Sequence, residues 1–186
     1  MTDILTPTTQ LRSGNWSIDA AHSTVEFTVR HLGISKVRGR FNDFDGSVAV
    51  GQGPADTKVS AVVDLSSVDT NNPDRDAHLR STDFFDLEAH PKMTFESASV
   101  VPSGDGWVMA GELTINGTTN PIEFDVEFHG AETYPMDEKV HAGFSASGSL
   151  SRKAYGVDFE IPLGADKVAI GDKVAIELEI QLVEPA

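Results

Sequence analysis

The sequence NWSIDAAHSTVEFTVRHLGISKVRGRFNDFDGSVAV, residues 15–50, decides the fold of this chain. Apolar and polar side chains alternate from Val25 to Arg30, and the alternation resumes after Gly33 and continues to Val50. A period of two residues is typical of a β-strand with one face buried and the other in water. The stretch therefore predicts two long strands joined by a short turn.

The same alternation recurs along the rest of the chain. It predicts further strands over residues 58–67, 93–101, 106–115, 119–130, 139–152 and 173–183. Asn116-Gly117 is a signal for a tight hairpin turn between two of them. With the first pair the strands number about eight, and long strands in that number avoid open edges by closing into a barrel. We therefore predict an all-β fold, an eight-stranded antiparallel barrel.

One helical segment interrupts the strands. Residues 75–86, RDAHLRSTDFFD, predict a short α-helix after a sequence rich in turn residues. Asp74 is the predicted N-cap, and Asp76 lies in the first turn, where the helix dipole favours a negative charge. Leu79 follows Arg75 at i+4, and Phe84 and Phe85 at the end of this segment are predicted to pin the helix to the sheet.

The composition is that of one acidic domain. The chain has 186 residues and a formal net charge of −15. We predict a flexible arm over residues 1–14 and a single domain over residues 15–186. The negative charge disfavours a nucleic-acid partner, and no apolar run approaches the roughly 20 residues that a membrane helix needs. Residues 1–14 show no charged segment followed by an apolar one, so the expected location is the cytoplasm.

The sequence carries no signature of a metal site or of a catalytic site. It has no cysteine, and its six histidines include no H-x-H or H-x-x-x-H pair. GFSAS at residues 143–147 lacks the final glycine of a nucleophile elbow. We expect no metal, no resident cofactor and no catalytic residue.

Six blocks of sequence stand in an order that resembles one known family. They are D-x-x-H-S-x-V-x-F-x-V-x-H-x-G from Asp19, V-R-G-R-F-x-x-F-x-G from Val37, R-D-x-H-L-R-S-x-D-F-F-D from Arg75, P-x-M-T-F-x-S from Pro91, G-x-L-T-I-x-G-x-T-x-P-I from Gly111 and R-K-A-Y-G from Arg152. With these blocks the chain resembles the YceI-like family, the bacterial polyisoprenoid-binding proteins.

The resemblance has implications for fold and function. It implies a lipocalin-like antiparallel barrel around a long apolar pore, with one added helix. It implies that the pore binds an extended isoprenoid or a similar lipid without catalysis, often in a homodimer. Many members of the family carry a secretion signal, whereas this sequence shows none.

Two interpretations of the aromatic residues remain open. The ten phenylalanines either fill the barrel completely or line a tunnel for a lipid tail. Each CH₂ group buried in a tunnel would gain roughly 0.8 kcal/mol, and with the resemblance we favour the tunnel. Its predicted lining consists of Phe27, Val29, Phe41, Phe44, Leu79, Phe84, Phe95, Leu113, Phe124, Phe128 and Phe144.

Four polar residues are predicted at the tunnel mouth as ligand-binding side chains: His22, Ser23, His31 and Arg152. The alternative is that they satisfy backbone groups at the end of the barrel. His22 and His31 are nine residues apart on the predicted first strand, so we expect them on opposite faces. Arg75 and Asp76 are interpreted as structural residues of the helix.

The sequence therefore predicts a protein that sequesters one long-chain lipid, of the polyprenyl, quinone or fatty-acid type. One rival hypothesis is an enzyme acting on such a lipid, which would need a titratable group deep in the tunnel. The other is a structural or interaction barrel with a filled interior, which would show no continuous cavity.

Overall fold

The structure, a computed structural model, describes residues 11–186 and consists mostly of β-strand. The strands are β1 Gly14–Ile18, β2 Thr24–His31, β3 Ser35–Phe41, β4 Phe44–Val50, β5 Lys58–Asp64, β6 Val68–Asp69, β7 Lys92–Ser103, β8 Gly106–Ile115, β9 Thr118–Tyr134, β10 Lys139–Ser151, β11 Pro162–Gly164, β12 Lys167–Val168 and β13 Ile170–Val183. The α-helix α1, Pro73–Leu79, and 3₁₀ turns at 20–22, 54–56, 65–67 and 153–155 connect them. Over this part of the chain, no helix has the length and apolar character needed to cross a membrane.

The main sheet closes into an eight-stranded antiparallel barrel. Its eleven strands occupy eight positions, because β1 and β2, β3 and β4, and β5 and β6 each share one position end to end. The barrel closes where Ser17 and Ile18 of β1 pair with Val183 and Leu182 of β13. Positions that are consecutive in the chain are neighbours in the barrel, so the topology is up-and-down. The predicted fold class is thus confirmed.

The β2–β3 hairpin shows the predicted alternation of apolar and polar side chains. Val25 pairs with Phe41 and Phe27 pairs with Gly39 across β2 and β3. A Cβ atom at Gly39 would lie 2.4 Å from Cζ of Phe27, so the ring lies over the neighbouring strand. The absence of a side chain at residue 39 lets the aromatic ring lie flat along the barrel wall.

The first barrel strand is not continuous, and here the sequence interpretation is wrong. A 3₁₀ turn at 20–22 separates β1 from β2, because Asp19 Oδ1 accepts a hydrogen bond of 3.0 Å from the Ala21 amide. Aspartate competes in this way with the strand ladder. His22 therefore lies in the turn, and only His31 lies on β2.

The helix spans Pro73–Leu79, so it begins two residues earlier than predicted and ends before residue 86. Asn72 is the N-cap, and its Oδ1 accepts a hydrogen bond of 3.0 Å from the Arg75 amide. Pro73 occupies the first helical position, which its fixed φ and missing N–H favour. The prediction of Asp74 as N-cap is therefore wrong, while Asp76 does lie in the first turn.

The predicted flexible arm lies outside the described residues over 1–10. Its remainder packs against the barrel: Leu11 is buried in a cluster with Trp16 and Leu182. Trp16 Nε1 donates a hydrogen bond of 2.9 Å to the Arg12 carbonyl oxygen, and Arg12 forms an ion pair of 3.2 Å with Glu184. Residues 11–14 are thus part of the folded domain.

Four connections meet at one end of the barrel, which we call the helix end: 32–34, 70–91, 116–117 and 152–169. The two long connections close over the short turn at 116–117. A Cβ atom at Gly117 would lie 2.7 Å from the His90 ring, and Asn120 Nδ2 donates a hydrogen bond of 2.9 Å to Ala154 O. We infer that the entrance to the interior lies on the side of the β2–β3 turn, where the exposed Arg30 and His31 also line an interior cavity.

Candidate functional site

Two cavities follow one another inside the barrel. The outer cavity, about 320 Å³, lies beneath the helix end, and the inner cavity, about 210 Å³, lies deeper. Val25, Met93 and Ile176 line both cavities, so the two adjoin at a waist formed by these side chains. Because a water molecule needs only about 10–15 Å³, the barrel is not filled by its own side chains.

The polar groups of the interior are concentrated at the helix end. Arg30, His31, Thr70, Arg75 and His78 line the outer cavity beside apolar side chains. The inner cavity is lined almost entirely by apolar and aromatic side chains. The interior is therefore a slot with one amphipathic end and one apolar end.

Ten of the eleven predicted tunnel residues line these cavities. The outer cavity is lined by Phe27, Val29, Phe41, Leu79 and Phe84. The inner cavity is lined by Phe44, Phe95, Leu113, Phe124 and Phe144. Phe128 lines neither; it packs on Phe144, with ring centroids 5.0 Å apart, beside the cluster that contains Leu11 and Trp16.

Two of the four predicted mouth residues lie at the outer cavity, namely His31 and Arg152. The other two lie outside both cavities, beside the 3₁₀ turn at 20–22. His22 Nδ1 is 2.7 Å from Asp19 Oδ2, and Ser23 Oγ accepts a hydrogen bond of 2.9 Å from the Gln181 amide. These two side chains thus satisfy local polar groups.

Arg152 holds the 152–169 connection in place. Its side chain is buried, and Nη1 donates hydrogen bonds to the carbonyl oxygens of Val157 at 2.7 Å and Phe159 at 2.9 Å. Nε donates to Gly171 O at 3.0 Å and Nη2 to Ile170 O at 3.2 Å. All three guanidinium nitrogens therefore bind backbone oxygens, and we assign Arg152 a structural role over the outer cavity.

Arg75, which the sequence analysis interprets as a structural residue of the helix, forms a polar network at the outer cavity. Its Nε donates to Thr70 Oγ1 at 2.7 Å, and its Nη2 donates to Thr70 O at 2.7 Å. Thr70 Oγ1 in turn donates to Asp76 Oδ1 at 2.5 Å, and the Thr70 amide donates to the same oxygen at 2.9 Å. The network fixes α1 to the barrel and brings a guanidinium to the cavity wall.

His78 also lines the outer cavity, although it is not among the predicted mouth residues. Its Nε2 lies 2.7 Å from Asp83 Oδ2, and its ring meets those of Phe84 and Phe159 edge-on at 5.0 Å. Its spacing of three residues from Arg75 places the two on one helix face. That spacing, combined with the apolar Leu79, is the signal that could have identified this face.

Burial raises the pKa of the Tyr155 phenol above its ordinary value of 10.0, so this outer-cavity residue stays neutral. Burial acts to raise the pKa of Asp172, but hydrogen bonds from Ser151 Oγ and the Lys153 amide lower it overall. Between Leu11 and Ala186, no group of three or more His, Asp or Glu side chains is placed to hold a metal ion.

An up-and-down barrel of eight strands with an apolar interior cavity defines the lipocalin-like class. Within that class, the model of the YceI-like domain matches residues 16–182. The chain belongs to the YceI-like family.

Relatives and solved structures agree with this assignment. The UPF0312 protein SAB2563 of Staphylococcus aureus (strain bovine RF122 / ET3-1) is 40% identical over 164 residues, which cover 88% of this chain and 94% of that protein. The crystal structure of the Campylobacter jejuni YCEI protein is 28% identical, with a TM-score of 0.71 and coverage of 84% of this chain and 90% of that one.

A third comparison concerns the fold alone. The structure of a polyisoprenoid binding domain from Saccharophagus degradans, implicated in plant cell wall breakdown, is 15% identical to this chain, with a TM-score of 0.68. The likeness covers 91% of this chain and 98% of that domain. The barrel is thus shared with a domain of that description.

Proposed function

We propose that this protein binds one long-chain isoprenoid, of the polyprenyl or quinone type, or a similar amphiphilic lipid inside the barrel. The observation that carries the proposal is the pair of adjoining apolar cavities, whose polar groups are concentrated at one end. A tail buried there gains roughly 0.8 kcal/mol per CH₂ group. Membership of the YceI-like family and the shared fold with a polyisoprenoid binding domain support the same ligand class.

The waist favours an extended ligand over a compact one. Val25, Met93 and Ile176 lie between the outer and inner cavities. A flexible chain that passes between these side chains occupies both cavities, whereas a compact ligand occupies only one. The polar head would then lie in the outer cavity near Arg75 and His78, and the tail would reach the inner cavity.

We also propose that binding involves no chemistry. A reaction on the tail would need a titratable side chain buried in the inner cavity, whose lining is apolar apart from Asp45, which is exposed to solvent, and the hydroxyl residue Thr57. Two polar groups of the outer cavity are engaged with the fold: Arg152 with backbone oxygens and Arg75 with Thr70. Sequestration is the function that this distribution supports best.

Native mass spectrometry of the freshly purified protein tests the proposal, together with an organic extract of the same sample. We expect a constant added mass that is recovered as a polyprenyl or quinone lipid, unaltered after prolonged incubation. Bare protein that also takes up no added polyprenyl lipid would overturn the proposal. A chemically altered lipid after incubation would favour the enzyme hypothesis instead.

Adjacent positions on β10 supply matched variants for this experiment. Ala146 lines the inner cavity, whereas Ser147 is exposed on the outer face. Ala146→Trp fills the inner cavity and should lower lipid occupancy by at least tenfold, while Ser147→Trp adds the same side chain outside and should leave occupancy unchanged. Equal occupancy in the two variants would place the ligand elsewhere.

A further inference from the structure

The turn between β2 and β3 exposes large apolar side chains at the entrance to the interior. Ile34 is 80% exposed, and Leu32 beside it is also exposed. Leu32 has φ +53, a left-handed conformation that L residues rarely adopt, and it is followed by Gly33 at φ +71. The turn thus leaves the apolar side chains of Leu32 and Ile34 exposed to solvent in the described chain.

A second hairpin extends this apolar surface. The Leu32 amide donates a hydrogen bond of 2.8 Å to Ala169 O, and the Ala169 amide donates one of 2.9 Å to Ile161 O. These bonds hold the β2–β3 turn against the β11–β12 hairpin, which exposes Ile161 and Leu163. We call Leu32, Ile34, Ile161 and Leu163 the mouth patch. It borders the outer cavity, since Ile161 and Ala169 also line that cavity.

Three cations share one face of the same hairpin by strand register, and one of them, Arg30, also borders the outer cavity. Arg30 pairs directly with Lys36 across β2 and β3, and Arg38 pairs with Thr28 one step further along that face. Like charges in directly paired positions destabilise a sheet. Within residues 11–186, the side chains of Arg30, Lys36 and Arg38 take part in no hydrogen bond or ion pair.

The acidic residues of this face lie farther from the turn. Glu26 pairs with Glu177 across β2 and β13, and Glu179 follows it in the same direction. In a chain of net charge −15, Arg30, Lys36 and Arg38 form a basic group on the β2–β3 hairpin beside the mouth patch. The two long connections at the same end carry acidic side chains, with Asp74 and Asp83 in one and Asp158, Glu160 and Asp166 in the other, so the basic group is confined to the β2–β3 hairpin.

We propose that the mouth patch and the cations Arg30, Lys36 and Arg38 dock the barrel on an anionic phospholipid bilayer. Apolar side chains at the tip enter the interface while cations beside them meet phosphate head groups, which is how amphipathic surfaces bind anionic membranes. Each Lys or Arg near such a surface favours binding about fivefold. Docking in this orientation turns the entrance of the outer cavity towards the lipid.

Docking gives the proposed function a route for its ligand. A long apolar chain could then pass between the bilayer and the barrel without crossing water, where every exposed CH₂ group is unfavourable. This consequence rests on the proposed function, but the docking itself does not. The two are therefore tested by separate readouts on the same samples.

Flotation with vesicles tests the docking. We expect the full-length protein to float with vesicles of phosphatidylcholine and phosphatidylglycerol, to bind pure phosphatidylcholine vesicles at least tenfold less, and to be released by high salt. Ile34→Asp should lower the partition coefficient about tenfold or more, because it removes one buried Ile from the interface. Lys36→Glu combined with Arg38→Glu should lower it by a similar factor.

The opposite end of the barrel supplies matched controls. Met136 is 81% exposed at the β9–β10 turn, as exposed as Ile34, so Met136→Asp makes an equivalent change far from the entrance. Lys139→Glu reverses a charge near the same turn and is the control for the charge-reversal variants. Both variants should bind vesicles like the unmodified protein, and circular dichroism should show the same fold in all variants.

Several results would overturn the docking proposal. These are failure of the unmodified protein to float, equal binding to both vesicle types, and equal loss in the Ile34→Asp and Met136→Asp variants. The proposal would also be overturned if the unmodified protein bound no vesicles and formed a dimer that Ile34→Asp converts to a monomer. A second copy of the chain would then cover the mouth patch. Native mass spectrometry of bound lipid on the same variants distinguishes this failure from failure of the proposed function.

Discussion

Phe27 and Gly39 face each other across β2 and β3, and the Phe27 ring occupies the space that a side chain at residue 39 would need. A Cβ atom there would lie 2.4 Å from Phe27 Cζ and 2.9 Å from Thr70 Cγ2. The ring also packs on Phe41, with centroids 5.5 Å apart, and lines the outer cavity. One missing side chain thus sets the shape of the cavity wall.

Gly39→Ala should therefore destabilise the barrel. The added methyl group must displace either the Phe27 ring or Thr70, and overpacking of this kind costs about 1–3 kcal/mol in the free energy of unfolding. Urea denaturation measures the loss. Gly53→Ala is the control, because a Cβ atom there meets nothing within 4 Å. An equal loss in the two variants would contradict the packing described here.

Arg152→Met should release the connection over the outer cavity. Arg152 is 5% exposed, and its removal leaves buried carbonyl oxygens, including those of Val157 and Ile170, without their donor. The expected loss in unfolding free energy is about 3 kcal/mol, with faster amide hydrogen exchange across residues 157–171.

The neighbouring Lys153→Met provides the comparison for Arg152. Lys153 Nζ pairs with Glu160 at 2.7 Å, but the pair is largely in solvent, and such pairs contribute about 0–1 kcal/mol. If hydrogen exchange increased equally in the two variants, the structural role assigned to Arg152 would be wrong.

The Asp19 carboxylate should make stability depend on pH in acid. A hydrogen bond with His22 lowers the pKa of Asp19 below its ordinary value of 3.8, and the Ala21 amide lowers it further. Because the folded pKa is lowered, the ionised carboxylate contributes stability that is present above the unfolded value and is lost as pH falls through the folded pKa.

Thermal melts between about pH 5 and about pH 2 measure this effect. Asp19→Asn should flatten the decrease in Tm over that range, since the amide cannot be protonated there. Asp105→Asn removes the same charge from the exposed turn between β7 and β8 and controls for net charge. A melt profile of Asp19→Asn as steep as that of the unmodified protein would refute the assignment.

Tryptophan emission should report ligand uptake. Trp107 is 4% exposed and lines the inner cavity, whereas Trp16 is 1% exposed in the cluster beyond it. A lipid tail in the inner cavity should therefore change the emission of Trp107. Titration with a polyprenyl lipid should show most of the change in Trp16→Phe and little in Trp107→Phe. The reverse pattern would place the tail outside the inner cavity.

The alternation of residues 15–50 was sufficient to predict the barrel wall, because burial on one face imposes a period of two residues. It could not predict the break at Asp19, where one side chain competes with the ladder for the Ala21 amide. The N-cap was misplaced for a related reason. Asn72 and Asp74 are both good caps by residue type, and Pro73 between them decides the choice.

The site was less predictable than the fold. Apolar residues on the inner face identify a lining, but only the register between strands shows which of them face an empty space. Phe128 follows the same alternation as Phe124, yet lies where the barrel is filled. The sequence does not identify Met93 as a cavity residue, because its role depends on its position at the waist and not on its residue type. The cytoplasmic location, the homodimer and the absence of a cofactor stay predictions.

The seam that closes the barrel has a consequence for how the chain folds. All other neighbouring positions are consecutive along the chain, whereas the seam joins Ser17 to Val183. The entropy of closing so long a loop is lost before the seam's hydrogen bonds can compensate it, so we expect closure to be the slow step of refolding. Until then β1, β2 and β13 present open edges, at which two unfinished chains can pair with each other. Refolding yield should therefore fall as protein concentration rises, even though the closed barrel has no unpaired strand edge.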